Sequence, residues 1–234
     1  MSTIIIAIAG RKQSGKDTLC RFLTERLEAI PSKIYSFADP LKRFCIDVMG
    51  LREEQCYGSD TEKNTKTPYL WDNVQSEIRY KYGKDEVVSS LIHKEFGGME
   101  RVSAVKKIQR SGSMTSRECL QIVGTDVMRK MFSDMIWVNA TLRMIEKDKC
   151  AIAFIADMRF KSEANALLNN PNAYVIRLTR KIYEDVHESE KDLDDYDFKK
   201  VFGDRCLVVD NQNMTIEQQH AAVVPFFDCI LGKK

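Results

Sequence analysis

Residues 10–18, GRKQSGKDT, bring two glycines, a serine and a lysine together directly after the apolar run TIIIAIA. That spacing suits the cradling of phosphate. Glycines let backbone N–H groups converge on phosphate oxygens, and a helix starting here adds its N-terminal partial charge. Gly10, Lys12, Ser14, Gly15, Lys16, Asp17 and Thr18 are the candidate loop contacts. Lys16 can bridge β- and γ-phosphates. A hydroxyl beside it usually reaches Mg²⁺; Thr18 can supply one, and Asp17 can hold a metal-bound water. The bland alternative, a glycine turn with a surface lysine, fits poorly with a buried strand before the loop and a helical pattern after it.

Other residues with chemical potential lie further along. AIAFIAD ends in Asp157, a carboxylate suited to a metal or reacting group, and Arg159 follows two places on, suited to a substrate phosphate. Both also make sense as a surface ion pair. Arg117, Gln121, Gly124, Thr125, Asp126 and Arg129 cluster on or beside one helix; a glutamine can read a base edge and an arginine can fork onto a phosphate. An amphipathic helix needs polar residues in any case. Arg177, Arg180 and Lys181 precede an acidic stretch, so residues 181–200 read as a lid that closes positive charge over a migrating phosphoryl group. DVMG (47–50) reads as a helix ending in glycine. His187 reads as structural.

The elements that position these groups alternate. TIIIAIA (3–9), KIYSFA (33–38), CAIAFIAD (150–157), AYVIRLTR (173–180) and CLVVDN (206–211) read as strands, the first with the β-branched continuity of a strand buried on both faces. Helical patterns separate them. Asp39 is placed to cap a helix with Pro40 at its first position, Ser133 to cap another, and Pro225 to interrupt the last. Leu120, Val123, Val127 and Met131 are spaced as a helical core stripe. Residues 50–115 form a polar, poorly patterned insertion, predicted as helices with long connections and a hairpin near Gly97-Gly98. The predicted fold is a single α/β domain over 1–234, with a parallel sheet and helices on both faces. Ligands in such sheets gather at the carboxyl ends of the strands.

Composition narrows the options. With 44% hydrophobic and 30% charged residues, a packed core is expected. A net charge of +2 is too balanced for a nucleic-acid coat or a membrane-surface protein. No apolar run approaches the ~20 residues of a membrane span, and no targeting segment is evident. Seven scattered cysteines, without a CxxC pair, read as reduced thiols rather than a zinc site.

The ordered set GRKQSGKDT, FADPLKRFC, SRECLQIVGTDVMR, MIWVN, IADMRFKSEANAL, VIRLTR and HESE resembles the deoxynucleoside monophosphate kinase family known from tailed bacteriophages. Such kinases place one residue between the loop lysine and a threonine, as here with Asp17 before Thr18. The resemblance implies a P-loop NTPase fold with a helical insertion and a lid, ATP on residues 10–18, and Mg²⁺ served by Thr18 and Asp17. It places a deoxynucleoside monophosphate (dNMP) among Leu41, Lys42, Arg117, Gln121, Gly124, Thr125, Asp126, Trp137, Asp157 and Arg159, to which the helix cluster adds Arg129 as a candidate. Lys16, Arg159 and Arg180 are then the expected catalytic residues, and Lys63 or Lys66 the basic residue of the insertion. The implied reaction is ATP + dNMP → ADP + dNDP in the cytoplasm, of a host cell if the gene is viral, with small nucleotides as partners and neither nucleic acid nor membrane. Nothing in the sequence decides against a homodimer. Two alternatives stay open: a P-loop kinase of a nucleoside or coenzyme precursor, and a nucleotide-regulated binding module.

Overall fold

The computed structural model describes residues 3–94, 98–182 and 191–232. In chain order the elements are β1 (Ile4–Ala9), α1 (Lys16–Glu25), β2 (Ser32–Tyr35), α2 (Asp39–Asp47), α3 (Glu53–Tyr57), α4 (Asp60–Lys63), β3 (Lys66–Leu70), α5 (Ser76–Lys81), β4 (Lys84–Lys94), β5 (Gly98–Ile108), β6 (Ser113–Thr115), α6 (Ser116–Gln121), α7 (Ile136–Asp148), β7 (Ile152–Met158), α8 (Lys161–Leu168), β8 (Ala173–Leu178), α9 (Phe198–Phe202), β9 (Cys206–Val209) and α10 (Ile216–Ile230). They form two compact units, Met1–Leu41 with Phe132–Lys234, and Lys42–Met131. Among the described residues no helix is long and apolar enough to cross a membrane, and all seven cysteines are free.

The first unit holds a five-stranded sheet in the order β2-β7-β1-β8-β9, with every pairing parallel. β1 is central because both its faces are apolar. Ile5, Ala7 and Ala9 join a layer with Val138, Ile145, Ala164, Leu167, Phe198 and Phe202, from α7, α8 and α9. Ile6 and Ile8 face the opposite layer, with Leu19, Leu23, Val223 and Phe227 from α1 and α10. The period-2 alternation of a strand thus covers both faces with helices.

Several local expectations need correction. β2 stops at Tyr35, and residues 36–38 leave the sheet. Asp39 is the first helical residue of α2, and its carboxylate accepts the Ser36 N–H at 2.8 Å instead of capping from outside. Pro225 sits inside α10 without ending it. DVMG does close a helix: Gly50, at φ 70°, donates its N–H to Ile46 at 3.2 Å.

The second unit differs more from what the sequence suggests. It has short helices, the antiparallel pair β3–β6 and the antiparallel hairpin β4–β5, in which Lys94 lies opposite Gly98. The hairpin expected near Gly97-Gly98 is therefore present, with residues 95–97 outside the described set. Thr115 and Glu118 form a reciprocal capping box at the start of α6. Beyond α6, Ile122–Phe132 winds as a π-helix, with i→i+5 bonds. A stripe counted at 3.6 residues per turn cannot hold through it. Cys119, Ile122, Gly124 and Asp126 are buried instead, and Met131 is 58% exposed.

Asp126, expected at the substrate, anchors this unit. Its carboxylate accepts from Lys81 at 2.8 Å, Lys130 at 2.9 Å and the Tyr82 hydroxyl at 2.7 Å. Burial pushes its pKa up, but these hydrogen bonds outweigh burial and hold it below the ordinary aspartate value. A carboxyl whose folded pKa is depressed contributes stability above its unfolded pKa, and that stability is lost as pH falls through the folded value. Asp126→Asn is expected to cost about 1–3 kcal/mol, since both lysines are half exposed and partly screened. Melting curves between pH 7 and pH 3 check this: the wild-type advantage should shrink towards the acid end, and a constant gap would remove Asp126 from the ionic account.

Candidate active site

Residues 10–18 form the turn between β1 and α1, at the carboxyl edge of the sheet. Gly15 caps α1 at φ 96°, a left-handed conformation that favours glycine, and as a glycine it brings no capping side chain of its own. The first-turn N–H groups of α1 point the way in which helix starts commonly receive an anionic ligand. A Cβ on Gly10 would lie 2.4 Å from Ser14 Oγ and 3.1 Å from the Leu178 carbonyl, so the loop closes only around glycine. Lys16, 7% exposed, lies in this turn and donates to the Arg11 carbonyl at 2.6 Å. The ammonium is thus drawn back over its own loop, where phosphate oxygens can replace one carbonyl.

Strand register sets the neighbours. Ala9 lies opposite Met158 of β7 on one side and Arg177 of β8 on the other. The loop therefore emerges between the Asp157–Arg159 corner and Arg177. The Asp157 carboxylate accepts from the Ser36 hydroxyl and, at 2.8 Å, from the Phe37 N–H, so it holds the turn after β2. The Arg159 backbone N–H donates to Glu163 at 2.7 Å. Glu163 is buried, and it fixes this corner at the start of α8.

Behind the loop stand two side chains missing from the sequence-based set. Asn211 is fully buried; its Nδ2 donates to the Ser14 carbonyl at 2.8 Å and to Gln219 Oε1 at 2.6 Å. Gln219 Nε2 reaches the Gly15 carbonyl at 3.4 Å, and a Cβ on Gly15 would lie 2.8 Å from Gln219 Oε1. Asn211 Oδ1 accepts the Arg180 N–H at 2.9 Å. A signal for Asn211 existed, because it follows a strand at the edge where ligands gather. Gln219 gave none, since one glutamine on an amphipathic helix is unremarkable in type.

Arg180 departs from the lid role expected of it. Its guanidinium donates to the carbonyls of Asn211, at 3.0 Å, and Met214. It thereby ties the end of β8 to the turn before α10. The segment read as a lid is also only partly accessible to description: residues 183–190 lie outside the described set. Within 191–200, Leu193 and Phe198 are each only 3% exposed, so this part is pinned to the core. Asp194 binds Arg11 of the loop and lies 3.3 Å from Arg177 and 3.9 Å from Lys181. Burial opposes its ionisation, yet Arg11 and its cationic neighbours hold the carboxyl below the usual range.

The remaining expected contacts divide between the units. Trp137 is buried on α7 in the first. Leu41 lies on α2, as does Lys42, whose ammonium is 4.4 Å from the centre of the Tyr57 ring. In the second unit, Arg117 on α6 bonds Asp60 at 2.6 Å, and its Nε has no partner among the described residues. Gln121 ends α6; Gly124, Thr125 and Arg129 follow on the π-wound segment. Lys66 donates to the Ser113 carbonyl at 2.8 Å, and Lys63 closes α4.

The oxygen donors suit magnesium, which takes one or two carboxylates plus substrate phosphates. Asp17 and Thr18 are exposed on the first turn of α1. The buried Cys20 thiol is pushed up to about 12 by burial and then by the charges of Asp17 and Asp157. Among the described residues no cluster of three or more His, Cys, Asp or Glu could hold a metal by itself.

A parallel sheet with a lysine-bearing glycine turn after its central strand places the protein in the P-loop class of nucleotide-binding folds. Residues 4–214 match the family described as deoxynucleotide monophosphate kinase. The chain belongs to that family. Two relatives are similar along much of their length. A protein of Acanthamoeba polyphaga mimivirus, provisionally named a deoxynucleotide monophosphate kinase, is 25% identical over 96% of each chain. The deoxynucleoside-5'-monophosphate kinase of Escherichia phage T5 is 25% identical over 70% of this chain and 72% of its own.

Proposed function

We propose that the protein transfers the γ-phosphoryl group of ATP to a deoxynucleoside monophosphate, giving ADP and dNDP. The observation that carries this reading is the Lys16 turn, with left-handed Gly15 at the start of α1, in a chain of this kinase family. An oxygen of the acceptor phosphate attacks the γ-phosphorus in line; the bond to the β–γ bridging oxygen breaks and ADP leaves with that oxygen. The acceptor is already ionised, so no strong base is required. Catalysis rests on positioning and electrostatic stabilisation. Lys16 and the amides of residues 10–18 hold the donor phosphates. Asp17 and Thr18 would hold Mg²⁺, which when bound neutralises charge on the β- and γ-oxygens. Asp157 keeps the turn at residues 36–38 in place, and Arg159 receives the acceptor phosphate. Gln121, Arg117 and Arg129 are the proposed acceptor residues of the second unit. The enzyme would work in the cytoplasm, of an infected host if the gene is viral, where its nucleotides are found. The family match gives no support to a nucleoside kinase or a regulated binding module.

Coupled ADP release, measured across the four dNMPs and their ribose counterparts, tests the reaction. Turnover with at least one dNMP, above that with nucleosides, is expected; ATP hydrolysis indifferent to every monophosphate would overturn it. Arg159→Ala is expected to raise the KM for dNMP about 10-fold or more, the cost of one charge-assisted hydrogen bond, with a smaller change in the KM for ATP. The reverse pattern would move Arg159 to the donor side.

A further inference from the structure

We infer that Asp194 holds the place of a phosphoryl group: its carboxylate fills a cation cluster beside the phosphate turn, and the terminal phosphate of a nucleoside triphosphate displaces it. The inference rests on the donor site proposed above. Three cations from separate parts of the first unit converge on this one carboxylate. Arg11, the second residue of the turn, grips it with a fork, Nε donating to Oδ1 at 3.3 Å and Nη2 to Oδ2. Arg177 of β8 donates through Nη2 to Oδ1 at 3.3 Å, and the Lys181 ammonium lies 3.9 Å from Oδ2. The cluster adjoins the ammonium that faces the donor phosphates. Lys16 donates to the Arg11 carbonyl at 2.6 Å, and Arg177 lies opposite Ala9, where β1 runs into the turn.

One carboxylate matches this cluster poorly. Three positive charges face a single negative one. Both oxygens go to the Arg11 fork, so Asp194 gives Arg177 one long bond among its five N–H donors, and Lys181 stands beyond hydrogen-bond reach of it. A terminal phosphate brings more negative charge and three oxygens, and it takes the same bidentate fork from arginine. Arg177 is already placed for that exchange: its side chain is 10% exposed, and its guanidinium lies 5.7 Å from the centre of the Phe198 ring. Side-chain rotation is enough to bring the exchange about. The turn that carries Asp194 is fixed by buried Leu193, by Asp192, which accepts the Lys161 N–H at 2.7 Å, and by Asp195, which accepts the Lys161 ammonium at 2.9 Å. A cavity of about 300 Å³, with Asp194, Lys181 and Lys199 in its lining, gives the carboxylate room to turn away. Displacing Asp194 is offset only by a ligand that has a terminal phosphate to put in its place. Once that group has been transferred, Asp194 returns to the cluster and ADP has nothing to hold there.

Titration calorimetry on the full chain in magnesium buffer, with the non-hydrolysable ATP analogue AMP-PNP and with ADP, reads the difference. Asp194→Asn keeps the size of the side chain and removes the competing charge. It should tighten AMP-PNP binding about 10-fold, the scale of one charge-assisted hydrogen bond released to the ligand, and leave ADP within about 3-fold. Arg11→Ala should weaken AMP-PNP about 10-fold on the same scale, with ADP changing less. In the Arg11→Ala background the gain from Asp194→Asn should shrink, because the two residues act on one site. Lys181→Ala alters a side chain that is 55% exposed, so it keeps the test open if Asp194→Asn folds poorly. It should weaken AMP-PNP about 3-fold at constant ADP affinity, as an exposed charge contact does. A merely structural Asp194 would lower the melting temperature on substitution and shift both nucleotides alike. That result, an AMP-PNP affinity that stays level or falls in Asp194→Asn, or an Arg11→Ala or Lys181→Ala variant with wild-type AMP-PNP binding, would overturn the inference. Failure of the wild type to bind either nucleotide would bring down the proposed donor site as well. Binding of both by the wild type, without the selective shifts, would remove the role of Asp194 alone.

Discussion

Lys16→Ala is expected to lower kcat by about 10²–10³, equivalent to about 3–4 kcal/mol of transition-state stabilisation from one preorganised charge. The melting temperature should stay close to wild type. Lys16 donates a hydrogen bond to a carbonyl of its own loop, at the start of α1. Removing the ammonium costs the fold contacts within its own loop, whereas it costs the reaction the positive charge facing the transferring group. Lys16→Arg should recover little, because a planar fork cannot replace a compact ammonium inside a turn this tight. Stopped-flow or coupled assays at saturating ATP and dNMP, run beside thermal melts, separate the two effects. Wild-type kcat in Lys16→Ala would show that the donor phosphates lie elsewhere, and an unfolded variant would show that the lysine is structural.

The sequence was legible where one physical cause dominates. β1 is apolar at every position and could only lie centrally with both faces covered; both apolar layers do meet on it. The glycine turn was legible because its spacing encodes a backbone path, and Gly10 and Gly15 each sit where a Cβ would collide. Legibility failed where several causes compete. Leu120, Val123, Val127 and Met131 looked like a helix stripe, but the chain winds wider after Gln121 and places Ile122 and the ion-paired Asp126 inside instead. Nothing in local spacing announces a π-wound segment. Of the partners of Asp126, Lys130 lies four residues on along the same segment, but Lys81 and Tyr82 come from and just after α5, 44 and more residues away, so a carboxylate that anchors this unit read as a substrate contact. Arg180 shows the same limit. An arginine just past a strand suits a phosphate, yet two carbonyls from the turn before α10 take its guanidinium, and they are distant in sequence.

Asn211→Ala should be the most damaging substitution outside the phosphate turn. Asn211 is fully buried and joins the Ser14 carbonyl, Gln219 and the Arg180 N–H. Alanine leaves all of these groups in the interior without their partner, where an unmet polar group costs about 1–3 kcal/mol. The groups can relax towards one another, so a loss of about 2–4 kcal/mol in stability is expected, within the range for disrupting a buried network. The functional consequence is distinct from the loss of stability. Ser14 and Gly15 are held from behind by Asn211 and Gln219, so a loosened turn must be reordered each time ATP binds. The KM for ATP should rise about 10-fold or more, since the ordering cost now falls on binding, while the KM for dNMP changes less. Gln219→Ala should move both quantities the same way by a smaller amount. The double variant should fall short of the sum, because residues within one network are coupled. A merely structural asparagine would lower the melting temperature and leave the ATP KM of the folded fraction unchanged. Assays well below the variant's melting temperature decide the point: an unchanged KM for ATP there would confine Asn211 to the fold, and a selective rise would place it among the residues that preorganise the phosphate turn.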